Sequence, residues 1–172
     1  MEERGYIRIY TGNGQGKTTA AFGLAVRALE AGRSVFIGQF VKSMKYNETG
    51  LTNHYPALTI KQYGCSCFIN RSPASEDAEA AAHGWEECRM ILKEGSFDMV
   101  VLDELNIALF YGLLSSEDVL AGLRERDSRV EVVITGRYAP QKLIDAADLV
   151  TEMREVTHYY SRGVLSRFGF DR

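Results

Sequence analysis

Eight consecutive residues, Thr11-Gly12-Asn13-Gly14-Gln15-Gly16-Lys17-Thr18, have the types and spacing to capture a polyphosphate. The pattern G-x-x-x-x-G-K-[ST] works because its glycines let backbone N–H groups converge on an anion, while a helix begins at the lysine. Gly16-Lys17-Thr18 satisfies the second half, but Thr11 stands where the first glycine is usual. Gly12 and Gly14 are expected to supply the left-handed backbone angles that Thr11 resists. Lys17 then offers a mobile cation, and Thr18 a hydroxyl suited to Mg2+ or Mn2+. Asn13, Gln15 and Thr19 complete the stretch expected to bind ATP.

A cation among phosphates also needs an acid at the end of a buried strand. Asp103 and Glu104 follow the continuous apolar run Met99-Val100-Val101-Leu102 and are the expected metal pair with Thr18. The bare sequence does not choose between them, and the bland alternative is a carboxylate that caps the next segment. Lys17 and Glu104 are the expected catalytic residues. Val133-Ile134-Thr135-Gly136-Arg137 reads as a second strand end, at the edge where open α/β proteins bind ligands. Arg137 there has a guanidinium able to take phosphate oxygens in a bidentate grip, or to be a plain surface residue.

The other reactive types read more blandly. Cys65 and Cys67 lack the two-residue spacer of a zinc knuckle and have no matching pair, so structural or pocket-lining thiols are expected. His83 and Cys88 lie five apart and do not share a helix face. His54 reads as a loop residue. Arg154, Arg162, Arg167 and Arg172 read either as steering an anionic ligand or, slightly favoured, as solvating a basic tail.

These groups need a scaffold, and the pattern supplies one. Strands are expected over residues 5–10, 34–40, 59–63, 99–103, 130–135 and 149–152. They alternate with helices over 17–31, 75–95, 115–126 and 140–147. The first helix carries Ala20, Ala21, Leu24, Ala25, Ala28 and Leu29 at helical spacing, with Gly32 as terminator. The second starts at Ser75 as N-cap and turns Ala78, Ala81, Ala82, Trp85, Cys88 and Leu92 inward. Ser115 and Asp118 are spaced like a capping box. This alternation predicts an α/β, three-layer P-loop NTPase (RecA-like) fold with a mainly parallel central sheet. At 172 residues and 45% apolar content, one domain spanning 1–172 is expected. A net charge of −3 argues against nucleic acid as the partner. No signal-peptide pattern and no membrane-length apolar run is visible, so a cytoplasmic protein with reduced thiols is expected.

In order and spacing, several segments together resemble the ATP:corrinoid adenosyltransferases of the CobA/BtuR/CobO type. The P-loop with its Thr19-Ala20-Ala21 continuation begins the resemblance. Asp103-Glu104-Leu105-Asn106, Thr135-Gly136-Arg137-Tyr138-Ala139-Pro140, Ala147-Asp148-Leu149-Val150-Thr151-Glu152-Met153 and His158-Tyr159-Tyr160 complete it. Thr at the first loop position is usual in that family. The resemblance implies transfer of the 5′-deoxyadenosyl group of ATP to the cobalt of a cob(I)corrinoid, cobalamin or cobyrinic acid a,c-diamide, with release of triphosphate. It implies Mg2+ (or Mn2+), a flavoprotein reductant and a homodimer. Phe68 and His158 are the corrinoid-binding residues it suggests, with ordinary hydrogen bonding the plainer reading of His158.

Three departures stand out. Gln15 occupies a position where many relatives carry Lys. Phe68-Ile69-Asn70 replaces the Phe-x-Trp of enteric relatives, whose aromatics help remove the corrinoid's lower axial ligand; the one tryptophan here is Trp85. Gly169-Phe170-Asp171 replaces a common Gly-Ile-Glu. Two competing readings follow from the motifs: a P-loop kinase or ATPase acting at the γ-phosphate, with Glu104 activating the acceptor, or a non-catalytic ATP-dependent corrinoid carrier.

Overall fold

The computed structural model describes residues 4–42, 47–64 and 74–170. Its strands are β1 (Ile7–Thr11), β2 (Val35–Phe40), β3 (Leu58–Tyr63), β4 (Met99–Asp103), β5 (Glu131–Thr135) and β6 (Leu149–Glu152). The helices are α1 (Lys17–Glu30), α2 (Ser75–Glu94), α3 (Leu105–Phe110), α4 (Ser116–Glu125) and α5 (Gln141–Ala146). Asn47–Asn53 and Tyr159–Arg162 are 3-10 turns. The six strands form one sheet in the order β3-β2-β4-β5-β1-β6, and every pairing is parallel.

Alternation along each strand divides the core into two layers. Val35, Ile37, Met99, Val101 and Val133 face α1 and pack on Ala21, Phe22, Ala25 and Leu29. Phe36, Phe40, Val100, Leu102, Val132 and Ile134 face the other way, toward Trp85, Cys88 and Leu92 of α2 and toward α3, α4 and α5. Three layers result, as the alternating pattern predicts. Chain direction reverses beside β1: the path from β1 leads to β2 on one side, and the path from β5 leads to β6 on the other. Open sheets of this kind bind ligands at the carboxyl edge near such a reversal.

Local chemistry accounts for the differences from expectation. Thr11 belongs to β1, paired with Glu152 of β6, so the loop begins one residue later. Ala74, not Ser75, caps α2, because Asp77 reaches back and accepts from the Ala74 N–H at 2.8 Å. On α2, Ala82 is exposed and Gly84 is buried. A Cβ on Gly84 would lie 2.3 Å from the Tyr63 ring, so close packing decides that position. Ser115 does cap α4, accepting from Asp118 N at 3.4 Å. The Asp118 carboxylate turns instead to the Trp85 indole, which donates at 2.7 Å.

Candidate active site

The floor of the site is the last row of the three central strands. On the α1 face, Ile37, Val101 and Val133 stand in register and are apolar. Two residues further on, the same face carries Gln39, Asp103 and Thr135, all completely buried. Buried polar groups are costly without hydrogen-bond partners, and these three bond through Asp103. Asp103 Oδ1 accepts from Thr135 Oγ1 at 2.7 Å and from Thr18 Oγ1 at 2.9 Å. Its Oδ2 accepts from Gln39 Nε2 at 3.0 Å and from Lys42 Nζ at 2.6 Å. Thr135 Oγ1 in turn accepts from Glu104 N at 2.9 Å, so one hydroxyl pins both acids of the Asp-Glu pair.

The phosphate loop rises from β1 against this floor. Gly12 and Gly16 have φ of 92° and 113°, but Gly14 is not left-handed. Its glycine is needed for another reason. A Cβ there would come within 2.8 Å of Met153 O, and Gly14 N donates to that oxygen at 2.7 Å. The backbone just beyond β6 therefore braces the loop from behind. Gly16 caps α1 without a side-chain bond, and the first turn holds no acid, so its N–H groups are left to an anion. Lys17 folds back over the loop, donating to Gly12 O at 2.8 Å and Gly14 O at 2.7 Å. Burial lowers its pKa, with Arg137 pushing the same way and Glu104 opposing.

Above the floor is a cavity of about 850 Å3. Asn13 to Thr19, Lys42, Glu104 and Arg137 line its polar side; Phe22, Val26 and Ile107 line its apolar side. That volume lies in the range of ligand pockets, about 300–1,000 Å3. Glu104 sits in the left-handed region at φ 60°, which turns its side chain away from the strand it follows. Burial, then the neighbouring Asp103 charge, raise its pKa, while Lys42, Lys17 and Arg137 partly offset them. Val41 (φ 62°) and Tyr138 (φ 61°) are the other non-glycine residues in this region among those described, and both follow strands ending at the same edge. Strain of this kind gathers at functional sites.

Most residues singled out by sequence meet here. Asn13, Gly14, Gln15, Gly16, Lys17, Thr18, Thr19, Glu104 and Arg137 line the cavity. Thr11 and Gly12 lie behind that lining, and Thr11 Oγ1 accepts from Ala139 N at 3.4 Å. Asp103 touches Thr18 but does not reach the cavity surface; Glu104 does. His158 stands on the rim formed by the C-terminal segment, beside Tyr159, Tyr160, Val164 and Phe170. Its Nδ1 accepts from Tyr160 N at 3.0 Å, which leaves Nε2 to carry the proton of the neutral ring. Phe68, with Cys65 and Cys67, lies outside the described residues.

Gln39, Lys42 and Asn106 are site residues that motif reasoning did not assign roles. Asn106 is fully buried and its Nδ2 donates to Gly136 O at 3.1 Å. A Cβ on Gly136 would stand 2.9 Å from that of Asn106, so Asp-Glu-Leu-Asn and Thr-Gly-Arg form one interlocked unit. The signal for Lys42 was positional: it follows a buried strand at the edge that also ends in Asp103 and Thr135.

A parallel sheet with a phosphate loop after β1, a Thr18–Asp103 pair and a carboxyl-edge cavity defines a P-loop nucleotide-binding protein. The comparisons narrow the class. The family model of ATP:corrinoid adenosyltransferase BtuR/CobO/CobP matches residues 3–171, and the chain belongs to that family. It is 38% identical over 173 residues to the corrinoid adenosyltransferase CobA of Salmonella typhimurium (strain LT2), covering 99% of this chain and 87% of the relative. The corrinoid adenosyltransferase of Escherichia coli (strain K12) is 37% identical with the same coverage. That of Pseudomonas aeruginosa is 35% identical over 172 residues, covering 99% and 85%. Membership supports the adenosyltransferase reading over the γ-phosphate and carrier alternatives. Among the described residues, no helix is long and apolar enough to cross a membrane.

Proposed function

We propose that the chain transfers the 5′-deoxyadenosyl group of ATP to the cobalt of a cob(I)corrinoid and releases triphosphate. The observation that carries this reading is the division of the cavity. Its floor concentrates the loop amides, Lys17, Thr18 and Lys42, whereas its rim brings together Tyr159, Tyr160, Val164 and Phe170 with the polar His158, Glu155 and Ser166. In the transfer, the cobalt(I) electron pair forms the bond to C5′, and the C5′–O bond breaks with its pair leaving on triphosphate. Cobalt is itself the nucleophile, so the protein's work is alignment and support of the departing charge.

The floor suits both tasks. Loop amides and the start of α1 hold the phosphates, and Lys17 exchanges its two carbonyl bonds for phosphate oxygens. Arg137 closes the polar side. The residues also fit Mg2+. Thr18 donates a hydrogen bond to Asp103, leaving its oxygen lone pairs for a hard cation, and Glu104 adds a carboxylate in the same cavity. When bound, the ion would supply further neutralisation of the leaving triphosphate. His158, with an Nε2–H donor, and the neighbouring tyrosines are assigned to the corrinoid side. A flavoprotein reductant, a cytoplasmic site of action and a homodimer belong to the same proposal. The four exposed residues of the edge strand β6 offer a surface for the second copy.

The test is anaerobic incubation with MgATP and cob(I)alamin, followed by analysis of both products. Triphosphate together with a light-sensitive adenosyl-corrinoid is expected. ADP or orthophosphate without an adenosyl-corrinoid would refute the proposal.

A further inference from the structure

Lys42 stands in an unusual relation to the acid at the floor. Its Nζ lies 2.6 Å from Asp103 Oδ2 and 4.0 Å from Glu48 Oε1, and its side chain is 15% exposed against 0% for Asp103. Val41, just before it, is held at φ 62°. A β-branched residue adopts that angle only when its surroundings impose it, and the turn sends Lys42 back over the edge of the sheet. Burial of the ammonium lowers its pKa, but Asp103, then Glu104 and Glu48, outweigh this and keep it charged. Thr18, Glu104 and Lys17 line the same cavity as Lys42. Lys42 thus places a cation of the protein's own on the acid that also bonds the hydroxyl best suited to Mg2+.

We propose that Lys42 neutralises Asp103 before nucleotide binds and moves to the triphosphate when a divalent cation enters with ATP. The geometry favours exchange over a fixed ion pair. Asp103 keeps three further hydrogen bonds, from Thr18, Thr135 and Gln39, and does not need Lys42 to stay bonded. The ammonium ends a four-carbon stem at the wall of the same cavity that Lys17 and Thr18 line. The inference rests on the triphosphate assignment for its second half only. Competition with metal is a property of the empty protein and stands or falls without the transfer reaction.

Two binding measurements on the full chain test it. In the first, Mn2+ is titrated into nucleotide-free protein and followed by electron paramagnetic resonance. Lys42→Met and Lys42→Gln should bind Mn2+ at least about tenfold more tightly than wild type, the scale of one neighbouring charge on a partly buried site. Lys42→Arg should match wild type. In the second, calorimetry with magnesium tripolyphosphate should show about tenfold weaker binding to both neutral variants and little change in Lys42→Arg. A structural ion pair would leave Mn2+ affinity unchanged or lower it, and either result overturns the proposal. Tighter Mn2+ binding with unaltered tripolyphosphate binding overturns its second half. The glutamine variant keeps a hydrogen-bond donor and serves if the methionine variant does not fold.

Discussion

The floor and the rim of the cavity are built by different rules. The floor is formed by strand ends and the start of a helix, with Gln39, Asp103 and Thr135 fully buried and Asp103 bonded to Thr18, Thr135, Gln39 and Lys42. The rim is the C-terminal segment after β6, where Tyr160, Val164, Leu165, Phe168 and Phe170 are exposed. It is held by short-range contacts: His158 against Tyr159, and the Arg167 guanidinium over Tyr159 and Phe170 at 4.8 and 5.2 Å. A saturated buried network fixes geometry, which suits a leaving group of constant shape. A segment without core packing adapts cheaply, which suits a bulky acceptor that must enter and leave.

The largest effect is expected from removing Lys17, one of the floor's cations. Lys17→Ala should lower turnover by roughly 10^2–10^3, the cost of losing one donor to a developing anion, with circular dichroism unchanged. Asp103→Ala attacks the floor's bonding. It leaves Lys42, Gln39 and Thr135 without their shared acceptor and should cost about 3 kcal/mol, or a fall in Tm of roughly 6–12 °C by calorimetry.

Glu104 separates function from stability within the floor. Its folded pKa is raised, so the folded state binds more protons than the unfolded state between the two values. Stability contributed by protonation is full below the unfolded pKa and is lost as pH rises through the folded one. Glu104→Gln should therefore flatten the pH dependence of Tm above the ordinary carboxylate range and raise Tm near neutrality by a few degrees, equivalent to about 1 kcal/mol. It should lose most activity at the same time. A variant less stable than wild type at pH 7 would contradict this account of the burial.

The rim should respond weakly. His158→Ala and Tyr159→Ala are expected to raise the KM for the corrinoid by less than about tenfold, since each removes one partly solvated contact. Tm and the KM for MgATP should be unchanged. A drop in Tm like that of Asp103→Ala would erase the distinction between rim and floor.

Much of the floor was legible in the sequence. Residues 99–103 and 149–152 read as strands and are β4 and β6, because a continuous apolar run and a short β-branched stretch leave few alternatives. That the loop residues and the Asp-Glu pair gather at one edge was legible because a motif of that residue type and spacing follows a strand and opens a helix. Gln39 was not, since one amide inside an apolar strand gains meaning only when Asp103 and Thr135 stand beside it. α3 is six residues long, too short to show a helical period. The role of Gly14 was hidden for a similar reason: the backbone that crowds it belongs to Met153, 139 residues away in sequence but bonded to it in space.

The division between floor and rim is tested most directly by calorimetric titration of the nucleotide's two halves in the presence of Mg2+. Inorganic tripolyphosphate should bind within about tenfold of ATP, and adenosine at least about a hundredfold more weakly, because the charged donors lie at the floor. Adenosine binding close to ATP, with tripolyphosphate undetectable, would contradict the account.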